Sequence, residues 1–276
     1  MKNEKKKTGY YILLWAIAIV FFLPVLWIIL CAFKTREDIL SWPPKFFFTP
    51  TLDNFYDLFS REMFVGAFLN SILISFASII IAIVVAFLAS YAFSRQKPKL
   101  TSFMMFMLLS IRMVPGAATV IPVFMMYTAL AWKGTYFGMI MFYAMFSIPF
   151  SVWIIKGFLD GVSEKFDETA LVNGAGRANT MFRVILPQVK AGLVAAFIFN
   201  IIFVWNEFLF GFILGGANVE TLPVILATES YTSAGIDWPF VASMSVVNLV
   251  PLLVLLFFFQ KYLLVGMTFG TVRNEI

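Results

Sequence analysis

The stretch "DETALVNGAGRANTMFRVILP", residues 167–187, is a polar interlude in a chain that is 61% hydrophobic, and what it interrupts decides the fold. Uncharged runs cover Thr8–Phe33, Met63–Ser94, Met113–Trp132, Gly134–Ile155 and Trp238–Gln260. A sixth, Ala191–Val219, is broken only by Glu207. A helix crossing a bilayer takes about 20 mostly apolar residues, so each run is long enough to span. Charged residues make up 13% of the chain, against roughly 25% in a soluble domain. The expectation is an all-α, polytopic membrane protein of six spans, with residues 1–276 forming one transmembrane domain.

Lys5, Lys6 and Lys7 resemble the basic start of a secretion signal. The apolar run that follows is 26 residues long and lacks a small-residue cleavage site, whereas a signal core is about 7–15 residues. It is read as a retained first span. Cys31 follows a bulky leucine, which makes a poor lipoprotein site. One cysteine allows no intramolecular disulfide, and with no histidine neither a metal site nor histidine chemistry is expected.

Lys and Arg set the orientation. With the N-terminus inside, fourteen of them fall on the cytoplasmic side and five, Lys34, Arg36, Lys45, Arg61 and Lys133, on the outer side, while Arg112 is left within a span. The positive-inside rule favours this arrangement, with both termini on the cytoplasmic side of the membrane. The net charge of +5 is therefore a property of topology, and a nucleic-acid partner is not implied.

Spans are expected near Tyr10–Phe33, Val65–Phe93, Leu100–Leu130, Tyr136–Ile155, Ala191–Leu214 and Pro239–Leu264. In span two, Ser71, Ser75, Ser78, Ala82, Ala86 and Ala89 share a face by steps of three and four. Small residues let another helix approach closely, so the face reads as a packing seam. Span three carries Pro115 and Pro122 and should be broken or bent, because proline removes a backbone donor. The outer loop before span two holds a proline-punctuated turn and then a short amphipathic segment, "TLDNFYDLF".

No phosphate-binding G-x-x-x-x-G-K-[ST], H-E-x-x-H or G-x-S-x-G occurs. No catalytic residue and no cofactor in this chain are expected. The polar interlude lies in the longest inner loop, residues 156–190. Val162, Phe166, Ala170 and Asn173 fall on one helical face. Gly174 suits the left-handed end of that helix, Ala175 and Gly176 allow a tight turn, and Asn179 or Thr180 would cap a second helix. Pro187 then redirects the chain. The residues describe a helix–turn–helix elbow whose small tip could enter a groove on another protein, or an ordinary solvated loop.

The same residues resemble the loop E-A-A-x-x-x-G-x(9)-I-x-L-P of ABC importer membrane subunits. Glu168, Ala170, Gly174, Leu186 and Pro187 match in type and spacing, and Val184 stands at the isoleucine place. Thr169 replaces an alanine, and Asn173 an aspartate common before the glycine. "TLDNFYDLF", "NSILIS", "IRMVPGAATVIP", "FSIPFSVWIIKGFLDGVSEKFDE" and "WNEFLFGFIL" extend the resemblance to the carbohydrate branch, specifically the maltose-type permease subunit. That resemblance implies a type I importer in which two related permeases form the pathway. It also implies two ATPase subunits that bind ATP and Mg, and an extracytoplasmic binding protein that delivers a sugar. Glu168, Thr169, Ala170, Asn173, Gly174, Ala175, Leu186 and Pro187 would then form the ATPase-docking loop.

Arg112 and Glu207 each oppose insertion by roughly 2.5–3.5 kcal/mol at a helix centre. They are candidates for lining the pathway or for a salt bridge between spans three and five; the bland alternative is snorkelling toward opposite interfaces. Asn206 and Asn248 could meet sugar hydroxyls or bond to neighbouring helices. Two rivals remain on sequence: an importer subunit for a polyamine or amino acid, and an ion-coupled transporter working alone. The latter should show paired intramembrane acids and an inverted repeat, where this chain has one such Glu and no evident repeat.

Overall fold

A computed structural model describes residues 2–233 and 235–267. Arg273 and the C-terminus, which enter the orientation argument above, lie outside the described residues.

In chain order the helices open with α1 (Lys2–Ala32), α2 (Arg36–Leu40), α3 (Asp53–Ser60) and α4 (Glu62–Tyr91), which widens into a π-turn over Ala92–Gln96. Next come α5 (Thr101–Met113), α6 (Gly116–Ala129), α7 (Tyr136–Gly161) and α8 (Lys165–Val172). A short α9 (Arg177–Asn179) runs through a π-turn, Thr180–Ile185, into α10 (Leu186–Gln188). The chain continues as α11 (Lys190–Trp205), α12 (Leu209–Gly215), α13 (Leu222–Thr228) and α14 (Trp238–Met267). A two-residue ribbon pairs β1 (Tyr231–Thr232) with β2 (Gly235–Ile236).

Four helices are long and apolar enough to cross a bilayer: Gly9–Ala32, Glu62–Gln96, Tyr136–Gly161 and Trp238–Tyr262. The expected third span is a bent pair, while the expected fifth, Ala191–Leu214, is divided between α11 and α12, and α11 is bent against the residues that precede it. Thr101–Met113 meets Gly116–Ala129 at 95°, and Arg177–Gln188 meets Lys190–Trp205 at 72°. The first break falls at Val114–Pro115, at one of the two prolines expected to break or bend this span; Val114 is extended, the conformation favoured before a proline, while Pro122 lies inside α6 without ending it. Pro149, by contrast, lies inside α7 without ending it, and α7 runs to Gly161, beyond the expected Ile155.

Within the single domain expected from sequence, contacts gather into two compact units. The first joins the residues up to Val65 with Ile225–Pro251. Here Lys34 is wholly buried: its ammonium donates to the Lys45 carbonyl at 2.6 Å and lies 4.2 Å from the Trp27 ring centre. Asn54 of α3 donates to the carbonyls of Ala32 and Lys34, so the amphipathic segment is tied to the end of α1. The transmembrane stretch of α1 itself, Gly9–Ala32, has its most apolar window unburied among the described residues.

The second unit joins Gly66–Val224 with the residues from Leu252 onward. Its centre is α7 against α11. Gly192 makes that approach possible, since a Cβ there would lie 2.5 Å from Phe158 Cγ. The small-residue face of α4 is a packing seam, with Ser71, Ser75, Ser78, Ala82 and Ala86 all buried. Ser71 accepts from the Leu222 N–H, and Ser90 donates to the Val152 carbonyl.

Candidate functional site

Residues 162–189 form the elbow the sequence describes. α8 carries Asp167 and Glu168 in its first turn, where negative charge complements the exposed N–H groups. It ends in a Schellman turn: Gly174 takes φ +83°, its N–H meets the Leu171 carbonyl, and the Ala175 N–H reaches back to Ala170. Gly174 is the residue that turn requires, because any Cβ is strained at that φ.

The second arm departs from expectation. It begins at Arg177, with extended Gly176 before it, rather than at a cap on Asn179 or Thr180. The Thr180 hydroxyl bonds back to the Gly176 carbonyl inside the helix. Pro187 lacks the N–H that would continue the ladder, and the preceding turn opens to π geometry, with the Leu186 N–H reaching Met181. Gln188 satisfies the Val184 carbonyl with its side-chain amide. Ile185 and Val189, both wholly buried, seat this arm on Ile155, Phe158 and Leu159 of α7.

The two neighbouring carboxylates of α8 have opposite fates. Asp167 is buried: Arg95 Nε donates to Oδ2 at 2.9 Å and the Tyr91 hydroxyl to Oδ1 at 2.8 Å. Arg95 also donates to the carbonyls of Leu159 (3.2 Å) and Val162 (2.9 Å). Removing either partner of such a buried pair costs about 3–5 kcal/mol. Around it, Ser94 donates to Asp160, and Lys97 pairs with Glu164 at 2.6 Å. The Lys97 hydrogen bond, then its charge, holds the Glu164 carboxyl below its ordinary value. Glu168, one residue on, is exposed, and its side chain makes no hydrogen bond or ion pair among the described residues.

Beside it lies a groove of about 510 Å³ lined by Ser163, Lys165, Phe166, Thr169, Ala170, Asn173 and Val184. Phe166, Ala170 and Asn173, three of the four residues that share a face in sequence, thus line an open trough. Phe166 is 49% and Val172 88% exposed. Leu186 and Pro187 lie on the second arm, outside the groove lining.

The intramembrane candidates do not come together as a pair. Arg112 ends α5 with its guanidinium 4.3 Å from Phe146, 4.9 Å from Phe203 and 5.5 Å from Phe150. Nη2 approaches Asn200 Oδ1 at 3.4 Å, and Nε is buried without an acceptor. Asn200 in turn donates to Ser151 and to the Ala196 carbonyl. Glu207 stands in the break between α11 and α12. Its carboxylate accepts from the N–H groups of Phe210 (3.0 Å) and Gly211 (3.1 Å) and from the Tyr143 hydroxyl at 2.7 Å. The salt bridge between spans three and five is therefore not formed. Asn206, exposed, bonds to the Ile202 carbonyl of its own helix, and Asn248 sits half-buried in α14 of the first unit.

Sequence reasoning passed over Arg95, Asp167, Tyr91, Asn200 and Tyr143. The one available signal was "YAFSRQK", an arginine within a turn of the apolar end of span two, where a cation can reach back to loop carbonyls.

A family model described as "Binding-protein-dependent transport system inner membrane component" matches residues 78–268. The chain is 30% identical to "Probable ABC transporter permease protein y4oR" of Sinorhizobium fredii, over 95% of this chain and 94% of the relative. It is 29% identical to "Diacetylchitobiose uptake system permease protein DasC" of Streptomyces coelicolor, over 91% of each. A solved bacterial ABC transporter involved in the import of the acidic polysaccharide alginate matches with a TM-score of 0.80 at 15% identity, covering 95% of this chain and 98% of the other. The last likeness shows a type I ABC importer permease fold. The matched stretch takes in both bent pairs and the whole elbow, and the chain belongs to the family of binding-protein-dependent transport system inner membrane components.

Proposed function

We propose that this chain is the permease subunit of an ATP-driven, binding-protein-dependent sugar importer and supplies half of its translocation pathway. The observation that carries the reading is the elbow's open face. An open groove lined by the half-exposed Phe166, Thr169, Ala170 and Asn173, on a helix that ends in a Schellman turn at Gly174 and carries the exposed Glu168, has the form of a docking surface. In this family the partner that fits is an ATPase subunit, which would bind the ATP and Mg. Glu168, Thr169, Ala170, Asn173, Gly174 and Ala175 form the contact, while Leu186 and Pro187 hold the second arm. A second, homologous permease completes the pathway, and a binding protein presents the solute from outside. The elbow and both termini face the cytoplasm. The diacetylchitobiose relative favours a sugar over a polyamine or amino acid.

The test is capture and transport together. The chain, tagged and purified from its own membranes, should bring down two ATPase subunits and a second permease, and the complex in vesicles should take up sugar on ATP. Thr169→Trp fills the groove and Glu168→Lys reverses the exposed charge on the same helix. Each should reduce ATPase capture several-fold and leave the two permeases together. Wild-type capture and uptake in both variants would end the docking role.

A further inference from the structure

The elbow's outer face is open, but its inner face is fastened to the end of the second span. We propose that Arg95 and Asp167 are the positioning pair that makes the elbow and α4 move as one body, so that displacement at the groove is handed sideways to span two. The proposal rests on the elbow being the ATPase dock.

Arg95 reaches three successive pieces of chain: Leu159 at the end of α7, Val162 in the connector, and Asp167 in α8. Tyr91, one turn earlier on α4, takes the other oxygen of Asp167. The side chains of Arg95 and Asp167 are 9% and 12% exposed. Such a pair does not slide: any shear between α4 and α8 strands a buried charge, whereas an exposed pair such as Lys97–Glu164 re-forms through water. The covalent route onward has the opposite character. The elbow's second arm meets α11 through a 72° bend at Val189, which takes non-helical angles of φ −97° and ψ 10°. A push on the groove thus meets a bend along the chain and a locked joint across to α4.

The experiment uses the complete importer in vesicles and reads ATPase capture, ATP hydrolysis and uptake. Arg95→Ala and Asp167→Asn should keep capture and hydrolysis within about twofold of wild type while sugar moved per ATP falls about tenfold, a coupling loss of the size carried by packed networks. Arg95→Lys and Asp167→Glu, which keep the charges, should recover part of that ratio, and Lys97→Ala should leave it unchanged. An unchanged ratio in Arg95→Ala and Asp167→Asn overturns the proposal. So does a loss of uptake matched by an equal loss of hydrolysis and capture, since that is a purely structural role. If Arg95→Ala does not assemble, Arg95→Lys decides: a wild-type ratio there overturns the proposal as well. Thr169→Trp, run alongside, separates the two readings. Undiminished capture in that variant removes the dock itself, whatever the pair does.

Discussion

Arg112 and Glu207 lie in the same unit and carry the same cost of insertion, yet the fold disposes of them differently. Glu207 is saturated: two backbone N–H groups and a tyrosine hydroxyl close on its carboxylate and start α12. Arg112 is caged by three phenyl rings and one long amide contact, with a buried N–H left over. A charge whose hydrogen bonds are all made is structural, because moving it strands its partners. A charge held mainly by ring faces keeps hydrogen-bonding capacity in reserve. Of the two, Arg112 is the one that keeps a buried N–H without an acceptor among the described residues.

The comparison breaks first at Glu207. Glu207→Ala leaves the Tyr143 hydroxyl and the α12 N–H groups without their acceptor, at about 1–3 kcal/mol for each stranded donor. The importer's thermal midpoint in detergent should drop clearly, and Glu207→Gln, whose amide oxygen still accepts, should drop it less. Equal midpoints for both variants and wild type would remove the structural reading. Arg112→Met is expected to cost less. Cation–π contacts are worth roughly 0.5–2 kcal/mol, and the variant also sheds the burial cost of the guanidinium, so stability should stay within about 1 kcal/mol. A fall as deep as that of Glu207→Ala would erase the contrast. The smallest effect is the coupling between the sites. They share no partner, so the double variant Arg112→Met/Glu207→Gln should equal the sum of the singles within about 0.5 kcal/mol. A larger interaction term would mean that the two charges meet after all.

Much of this was legible beforehand, for physical reasons that differ by element. The spans follow from uncharged length, and the 95° break follows from Pro115, which acts on its immediate neighbours. Gly174 was legible because a left-handed helix end is a one-residue requirement. The start of the second arm was not. Thr180 is a good cap by local preference, but the packing of Ile185 and Val189 and the opening at Pro187 set where that helix lies. Arg95 and Asp167 are 72 residues apart, and nothing local marks them as partners. Glu207 was visible as a charge in a span. That it ends one helix and begins another depended on Tyr143, supplied from α7.

The unburied face of α1 has a consequence for how this sequence is free to change. Its most apolar window, within Gly9–Ala32, is unburied among the described residues, in contrast to Gly192, where a single added methyl meets a phenyl ring. One isoleucine, leucine or phenylalanine in that window serves its own fold as well as another. Over evolutionary time α1 should therefore wander widely in spelling while keeping its greasiness, as a word that needs only the right length and the right vowels. Descendants of this chain would be aligned through α7 and α11 long after their first helices had ceased to match.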